Sequence, residues 1–287
     1  MPTTLSALME HNSPFCAVIG NPISHSLSPL LHNTAAKYHN LPLQYHAVDV
    51  KDADFSNLRE LFAHPQFLGA NITIPYKTRI REFLDDEDVS AKEIGAVNTI
   101  VREKNLIKGY NTDSYGFTQQ LNPYRKRLKG KKAVVFGSGG ASKAIVHGLV
   151  QLEMAEIIII SRKPQSTINN YRLFSDQVST GPYNLLAELS DGAELFVNTT
   201  PLGMSPNELY SPVPKEYEHI LNHKICYDIV YVPLFTQFLR QAQRQNAVII
   251  DGLDMFIHQG DKAFHHWTGK HFPYEMVRSK LLDRLKA

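Results

Sequence analysis

The sequence is short of cysteine, tryptophan and net charge. Its 287 residues include two cysteines and one tryptophan, and 30 basic residues against 28 acidic ones leave a net charge of +2. Cys16 and Cys226 lie far apart in apolar contexts, which predicts buried, reduced thiols and a cytoplasmic location. A charge so close to zero, without a basic cluster, argues against nucleic-acid and membrane partners. We therefore expect a small-molecule ligand.

The beginning of the chain lacks an extended apolar run. Residues 1–14 carry Glu10 and His11, so they resemble neither a signal peptide nor a membrane anchor, and they predict a loose arm or an extra helical turn. His219 and His223 have the spacing that would place two metal ligands on one helix face. No glutamate follows the first of them and no third ligand is evident, so we expect no metal site.

A glycine-rich turn separates a predicted strand at 131–136 from a predicted helix at 141–150. Its sequence is Gly137-Ser-Gly-Gly-Ala-Ser142, and a second apolar strand is predicted at 156–160. In such a βαβ unit Gly137 permits the tight turn, Gly139 lets the backbone approach a pyrophosphate, and the helix N-terminus offers N–H groups to its charge. The pattern predicts a dinucleotide site; the alternative is that the glycines simply form a turn.

The residues after the second strand of this unit favour one cofactor. An Asp or Glu there would accept hydrogen bonds from the ribose hydroxyls and repel a 2′-phosphate, but the chain has Ser161, Arg162 and Lys163. An arginine can pair with a phosphate through two hydrogen bonds, and a lysine adds a point charge. NADP is therefore favoured over NAD, with a solvated basic loop as the alternative.

Strand and helix patterns alternate along the whole chain, which is typical of mainly parallel sheets covered on both faces. We predict an α/β fold with two doubly wound parallel-sheet domains and an active-site cleft between them. Residues 1–114 and 253–287 would form a substrate-binding domain, and 115–252 a Rossmann-type NADP-binding domain. The further predicted strands are 16–19, 43–50, 69–73, 194–198, 225–230 and 247–251, and the further predicted helices are 28–38, 54–62 and 255–286.

Polar loops adjoin the strand ends of the first domain. Ser26 and Ser28 follow the first strand, where their hydroxyls could bind a carboxylate or a substrate hydroxyl; helix capping is the alternative. Lys77 follows the third strand, and an ammonium suits proton exchange with a substrate oxygen. Asp113 would pair with Lys77 if their loops converge. Each residue taken singly could instead belong to a turn or a cap.

Five segments together resemble the shikimate dehydrogenase family. They are residues 20–29, 71–77, 95–99, 111–113 and 137–142. Further matches at 198–204, 227–231 and 251–259 extend the resemblance over nearly the whole chain after residue 14. The resemblance implies an oxidoreductase that reduces 3-dehydroshikimate to shikimate with NADPH, a step of chorismate and aromatic amino-acid biosynthesis.

The resemblance also implies residue roles. Lys77 would be the acid/base residue with Asp113 as its partner, and Ser26 and Ser28 would hold the substrate carboxylate. The implied substrate-binding residues are Ser26, Ser28, Thr73, Lys77, Asn98, Asp113, Tyr231 and Gln259. The implied cofactor-binding residues are Gly137, Ser138, Gly139, Gly140, Ala141, Ser161, Arg162, Lys163, Ile229 and Gly252.

Two other functions stay open at this point. The nearer one is a quinate/shikimate dehydrogenase that uses NAD and broader substrates, against which the missing acid after the second strand argues. The more distant one is a non-catalytic sensor of substrate or NADP, against which Lys77 and Asp113 argue. The sequence does not fix the oligomeric state, and a homodimer is one open arrangement.

Overall fold

The computed structural model describes residues 2–171, 174 and 176–286. The chain divides into two compact units, unit 1 (Met1–Thr112 and Gln259–Ala287) and unit 2 (Asp113–His258). The strands are β1 Phe15–Gly20, β2 Gln44–Asp49, β3 Phe67–Ile72, β4 Asp86–Glu87, β5 Thr99–Glu103, β6 Leu106–Tyr110, β7 Lys132–Phe136, β8 Glu156–Ile160, β9 Val178–Gly181, β10 Ala193–Asn198, β11 Ile225–Asp228 and β12 Val248–Ile250. The α-helices are α1 Leu5–Met9, α2 Ser28–Tyr38, α3 Leu58–Ala63, α4 Val89–Ile94, α5 Asp113–Leu121, α6 Arg125–Leu128, α7 Gly140–Gln151, α8 Pro164–Thr167, α9 Leu186–Leu189, α10 Gln237–Arg244, α11 Leu253–Thr268 and α12 Tyr274–Lys286.

Unit 1 contains a mixed six-stranded sheet in the order β2-β1-β3-β5-β6-β4. β1 pairs in parallel with β2 and β3, whereas β5 pairs antiparallel with β3 and β6. All six residues of β1 are buried, as expected for a strand covered on both faces. Phe15, Ala17 and Ile19 alternate along it and face a core shared with Phe55 and Leu61.

Unit 2 contains an all-parallel sheet in the order β12-β11-β10-β7-β8-β9. The chain enters at β7, runs outward to β9, and then crosses to β10 and runs outward the other way, which is the Rossmann strand order. Along β8, Ile157 and Ile159 pack into one core while Ile158 and Ile160 pack into another. The run of isoleucines is therefore explained by two covered faces. The predicted α/β class with two mainly parallel sheets is confirmed.

The predicted elements differ from the structure in a few places. The helix predicted at 54–62 begins as a 3-10 segment, Asp52–Asn57, and continues as α3. The single helix predicted at 255–286 is two helices, because Gly269 adopts a left-handed φ of 69° after α11 and Pro273 precedes α12. Four strands were not predicted: β4, β5, β6 and β9.

The N-terminal segment is partly helical and packed. The Thr4 hydroxyl caps α1 by accepting a hydrogen bond from the Ala7 N–H at 3.3 Å, and Leu8 is fully buried. The extra helical turn is therefore confirmed, and the loose arm is wrong. Cys16 and Cys226 are both free and buried, as predicted. Within the described residues, no helix is long and apolar enough to cross a membrane.

Candidate active site

The loops after β1 and β3 meet at the carboxyl edge of the unit 1 sheet. The Thr73 N–H donates to the Ile19 carbonyl at 3.0 Å. A Cβ atom on Gly20 would collide with the methyl group of Thr73, so the close approach requires glycine there. The adjacent order of β1 and β3 therefore brings the loop that carries the two predicted serines beside the loop from Thr73 to Lys77, at the point where open α/β sheets bind ligands.

The two serines do not cap α2. The N-cap position is Leu27, with no side-chain capping bond, and Pro29 lies in the first turn. The Ser26 Oγ accepts a hydrogen bond from the Ser28 N–H at 3.3 Å. Ser26 is half-buried and Ser28 is buried, so the loop holds both hydroxyls in defined positions at the sheet edge.

A buried tyrosine lies behind Ser28. The Tyr45 hydroxyl donates to Asn71 Oδ1 at 2.6 Å. Burial raises the pKa of the Tyr45 phenol well above its usual value, and a hydrogen bond with the Ser28 side chain opposes that rise. Tyr45, Asn71 and Ser28 are all buried, so the phenol braces the serine from the interior.

The same chain of hydrogen bonds continues across the sheet edge. Asn71 Nδ2 donates to Thr99 Oγ1 at 3.1 Å, and Thr99 Oγ1 donates to Asn98 Oδ1 at 3.0 Å. Asn98 Oδ1 also accepts from the Thr112 N–H at 2.7 Å, while its Nδ2 donates to Thr112 Oγ1 at 3.0 Å. We call Ser28, Tyr45, Asn71, Asn98, Thr99 and Thr112 the amide–hydroxyl network.

This network fixes the position of the backbone immediately before Asp113. Thr112 is fixed by both ends of the Asn98 amide, and Asp113 follows it directly as the buried first residue of α5. Lys77 is half-buried, and its carbonyl accepts a hydrogen bond from the Val97 N–H at 2.7 Å. The loops that carry Thr73, Lys77 and Asn98 are therefore fixed by backbone bonds and buried amides at one sheet edge.

The glycine loop of unit 2 lies between β7 and α7. Gly137 has a φ of 98°, and a Cβ atom there would lie 2.9 Å from Thr200 Cγ2. Both the backbone conformation and the lack of space therefore require glycine at this position. A Cβ atom on Gly139 or Gly140 would meet no atom within 4 Å. Gly139 is the N-cap of α7 and no side chain caps the helix. The loop thus leaves open space in front of a helix N-terminus, which fits a pyrophosphate.

The loop after β8 is joined to the glycine loop by hydroxyl groups. The Ser161 Oγ lies 3.3 Å from Ser138 Oγ and 2.9 Å from Thr167 Oγ1, and it accepts from the Lys163 N–H at 3.2 Å. Ser161 is buried, whereas Arg162 and Lys163 are exposed. The two cations are therefore presented to solvent by a loop whose serine points inward.

A buried carboxylate fixes the turn after β11. Asp228 accepts hydrogen bonds from the Val230 N–H at 3.0 Å and the Thr236 hydroxyl at 2.6 Å. Burial is the main reason that the pKa of Asp228 rises to about 6. A Cβ atom on Gly252 would collide with the Ile229 carbonyl oxygen. Sequence reasoning named Ile229 and Gly252 but missed Asp228, although an acid inside an apolar strand is a signal for such a brace.

Three further predictions concern side chains elsewhere. Tyr231 stacks on Phe256, with ring centroids 4.7 Å apart and planes 10° apart, and Gln259 lies half-buried on α11 in unit 1. His219 lies in the 3-10 segment Lys215–Leu221, and His223 lies beyond it with a φ of 58°, so the two do not share a helix. Across the part of the chain that the structure describes, no group of three or more His, Cys, Asp or Glu residues could hold a metal ion.

Comparisons with known proteins agree with this geometry. Residues 18–100 match the family model described as the shikimate dehydrogenase substrate binding domain, and residues 252–282 match the shikimate 5′-dehydrogenase C-terminal domain. A shikimate dehydrogenase (NADP(+)) of Moorella thermoacetica is 36% identical over 277 residues, which covers 94% of this chain and 93% of the relative.

Solved structures show the same likeness. A shikimate 5-dehydrogenase of Thermus thermophilus in complex with NADP(H) and shikimate has a TM-score of 0.82 at 32% identity, covering 95% of this chain and 99% of that one. A quinate dehydrogenase of Corynebacterium glutamicum in complex with NAD has a TM-score of 0.86 at 25% identity, covering 95% and 100%. Because full-length relatives exceed 30% identity and the family model matches the unit 1 edge, this chain belongs to the shikimate dehydrogenase family.

Proposed function

We propose that this protein catalyses the reversible NADPH-dependent reduction of 3-dehydroshikimate to shikimate. The observation that carries the proposal is the unit 1 sheet edge. Backbone hydrogen bonds join the loop after β1 to the loop after β3, and the latter to the segment before Asn98, while Asn71, Thr99 and Asn98 are hydrogen-bonded to one another. A substrate with a carboxylate and several ring hydroxyls needs such an array of short donors and acceptors. A site built this way rejects analogues that lack one hydroxyl by about 10⁴-fold, since its own polar groups would be left unpaired.

The substrate-binding residues that we propose belong mainly to unit 1. Ser26 and Ser28 would bind the carboxylate through their hydroxyls. Thr73, Lys77, Asn98 and Asp113 would bind the ring hydroxyls. Tyr231 and Gln259 would close the pocket. The predicted domain limits, 1–114 with 253–287 and 115–252, are part of this proposal.

The residues that would hold NADP fit that cofactor. The open space at Gly139 and Gly140 admits a pyrophosphate to the uncapped start of α7. Arg162 and Lys163 are exposed where a 2′-phosphate would need cations. When bound, NADPH would supply the hydride. The full set that we propose for the cofactor is Gly137, Ser138, Gly139, Gly140, Ala141, Ser161, Arg162, Lys163, Ile229 and Gly252.

The protein's own catalytic step would be a proton transfer at the substrate oxygen. Reduction of a carbonyl leaves negative charge on its oxygen, and a positioned ammonium can stabilise that charge and donate the proton. We assign this role to Lys77, and we assign Asp113 as the carboxylate that keeps Lys77 charged and oriented. In the oxidation direction Lys77 would accept the proton of the substrate hydroxyl.

The test of the proposal is a spectrophotometric assay with four combinations. Purified protein is mixed with shikimate or quinate, each with NADP or NAD, and the appearance of reduced nicotinamide is followed. We expect strong turnover with shikimate and NADP alone. Comparable rates with quinate or NAD would favour the quinate/shikimate alternative, for which the likeness to a quinate dehydrogenase structure is the specific observation. Absence of turnover in all four would contradict an enzyme and favour a sensor.

Arg162→Gln tests the choice of cofactor. Removing a guanidinium that pairs with the 2′-phosphate should lower kcat/KM for NADP by about 10²-fold, the size of ~2–3 kcal/mol for a charged hydrogen bond. The value for NAD should change less than about 2-fold, since NAD lacks that phosphate. Arg240→Gln is the matched control, because Arg240 is also an exposed arginine of unit 2 and lies over the Phe235 ring. Equal losses with both cofactors would contradict the assignment.

We also propose a cytoplasmic location and a homodimer. The buried free thiols Cys16 and Cys226 suit a reducing compartment. Cell fractionation tests the location, and light scattering after size-exclusion chromatography tests the dimer through its molar mass.

A further inference from the structure

A buried serine–histidine pair in unit 2 has no role in the chemistry described above. Ser114 Oγ lies 2.8 Å from His147 Nδ1. Ser114 is 2% exposed and His147 is 4% exposed, so the pair is closed to substrates and is not a nucleophilic site. A buried polar group is costly unless it is hydrogen-bonded, and here each side chain satisfies the other.

The pair joins two helices that are packed very closely. Ser114 belongs to α5 and His147 to α7. A Cβ atom on the neighbouring Gly148 would lie 3.0 Å from Phe117 Cδ1 and 3.3 Å from Ser114 Oγ, so the contact leaves no room for the helices to approach further. On the other side of the ring, His147 Nε2 lies 3.4 Å from the Gln151 amide nitrogen. The imidazole is therefore held from both sides, in one orientation.

The position of the pair along the two helices gives it a consequence. Ser114 directly follows Asp113, the first residue of α5, and α7 is the helix that starts at the glycine loop. A hydrogen bond from the first turn of α5 to α7 fixes the rotation of α5 about its axis and hence the direction in which Asp113 leaves the backbone. It also ties that direction to the helix proposed to hold the pyrophosphate.

We propose that His147 is a positioning residue that, through Ser114, orients the Asp113 carboxylate relative to the cofactor-binding helix. The inference rests on the proposed function, since it gives His147 a role in the same reaction. Reaction rates depend steeply on such placement, and an error of about 1 Å can cost about 10²-fold. His147 itself touches neither substrate nor cofactor in this proposal.

The experiment compares His147→Leu with His147→Asn. Leucine removes the partner of Ser114, whereas the asparagine side chain places a polar atom near the position of Nδ1 and can still bond the hydroxyl. We expect His147→Leu to lower kcat by about 10-fold, an effect smaller than that of displacing the carboxylate by a full ångström. KM for shikimate and for NADP should change less than about 2-fold. His147→Asn should recover most of the lost kcat.

A double variant shows whether the effect passes through Asp113. In an Asp113→Asn background, His147→Leu should cause less than about a 2-fold further loss, because coupled residues are not additive. Gln241→Leu is the matched control: Gln241 is similarly buried in unit 2, and its amide bonds the Val213 carbonyl at 3.0 Å. We expect it to lower thermal stability and to leave kcat unchanged.

Each result decides the proposal. Three results would overturn it: an unchanged kcat in His147→Leu, an equal loss of kcat in His147→Asn, or a full further loss in the Asp113→Asn background. If the wild type still oxidises shikimate, the proposed function stands in each of these cases. Absence of wild-type turnover would overturn both, and it is distinguishable because no variant is needed to see it.

Discussion

The edges that we propose as ligand-binding sites differ in construction between the two units. In unit 1 the edge depends on side chains: the amide–hydroxyl network buries two asparagines, three hydroxyl residues and a tyrosine at the sheet edge. In unit 2 the edge depends on the backbone: Gly137 turns the chain, and Gly139 and Gly140 leave space before the uncapped start of α7. In unit 2, side-chain hydroxyls form hydrogen bonds that stabilise these loops from the protein interior.

The difference fits the ligand that we propose for each edge. A pyrophosphate is a diffuse anion that backbone N–H groups and a helix N-terminus can hold without side chains. A small polyhydroxylated ring offers donors and acceptors in particular directions, and matching these requires fixed side chains. Function at the unit 1 edge should therefore be lost when side chains are removed. Function at the unit 2 edge should be lost when side chains are added.

Lys77→Met should have the largest effect of all. It removes the proposed acid/base group but keeps the length of the side chain. Because general acid–base catalysis contributes about 10²–10⁴-fold, we expect kcat to fall by about 10³-fold while KM for shikimate changes little. Steady-state kinetics with shikimate and NADP measures both constants.

Lys92→Met is the control for the loss of a lysine from unit 1. Lys92 is exposed and pairs with Asp86 at 2.9 Å, and such surface pairs contribute little, about 0–1 kcal/mol. Its turnover should match that of the wild type. Near-normal turnover in Lys77→Met would remove Lys77 from the mechanism.

Asn71→Leu should have the next largest effect, on stability. Leucine has a similar volume but removes the acceptor of the Tyr45 hydroxyl and one of the hydrogen bonds of Thr99 Oγ1, which keeps its bond to Asn98. A buried group left unpaired costs about 1–3 kcal/mol and a lost hydrogen bond about 1 kcal/mol, so we expect the free energy of unfolding to fall by about 3 kcal/mol. Chemical denaturation of the purified variants measures the change.

Ser142→Ala in unit 2 sharpens the comparison. The Ser142 hydroxyl donates to the Gly137 carbonyl at 2.9 Å and accepts from Tyr171 at 2.9 Å, but it braces a loop whose shape is set by glycine. We expect a loss of about 1 kcal/mol. A loss as large as that of Asn71→Leu would mean that the two edges do not differ in this way.

The sequence predicts the strands of unit 2 better than those of unit 1, since among the described strands it misses β9 in unit 2 but β4, β5 and β6 in unit 1. The strand Glu156–Ile160 and the helix Ser28–Tyr38 were found at their predicted limits, because a continuous apolar run and a Ser-Pro start are strong local signals. The hairpin of β5 and β6 was missed. Its signal was weak, because neither Thr99–Glu103 nor Leu106–Tyr110 alternates in polarity. The turn between them depends on Lys104, whose left-handed φ of 59° has no glycine to announce it.

The candidate site was predictable as a set of loops but not as a network. Strand ends with serine, lysine and asparagine are visible along the chain, and the sheet order brings them to one edge. Tyr45 and Thr99 carry no such signal, because each looks like an ordinary strand residue with high β-propensity. Their roles depend on pairings between distant strands, and the same is true of Ser114 and His147.

His32 gives a pH dependence that belongs to unit 1. It is fully buried and stacked on Tyr45 at a centroid distance of 4.2 Å. Burial lowers the pKa of His32 from 6.5 to about 3. The unfolded chain therefore binds the proton more readily, so stability is full above pH 6.5 and is lost as the pH falls toward 3.

Because of His32, the free energy of unfolding of the wild type should fall by about 2 kcal/mol between pH 7 and pH 5. His32→Leu should remove this contribution to the pH dependence of stability. Denaturation curves at several pH values measure it. His25→Leu, which replaces an exposed histidine of the same unit, should keep the wild-type slope. If His32→Leu kept it as well, the ring would have to be protonated without cost in the folded protein.

Gly139→Ala separates an effect on folding from an effect on binding. A Cβ atom at Gly139 meets nothing within 4 Å, and the backbone there is extended, with φ −77° and ψ −175°. The methyl group should therefore leave the melting temperature unchanged while it occupies the space that a pyrophosphate needs. We expect KM for NADP to rise by about 10-fold, or about 1.4 kcal/mol, with KM for shikimate unaffected. A normal KM for NADP would show that the cofactor does not approach the backbone here, and the contrast between a side-chain edge and a backbone edge would then have to be abandoned.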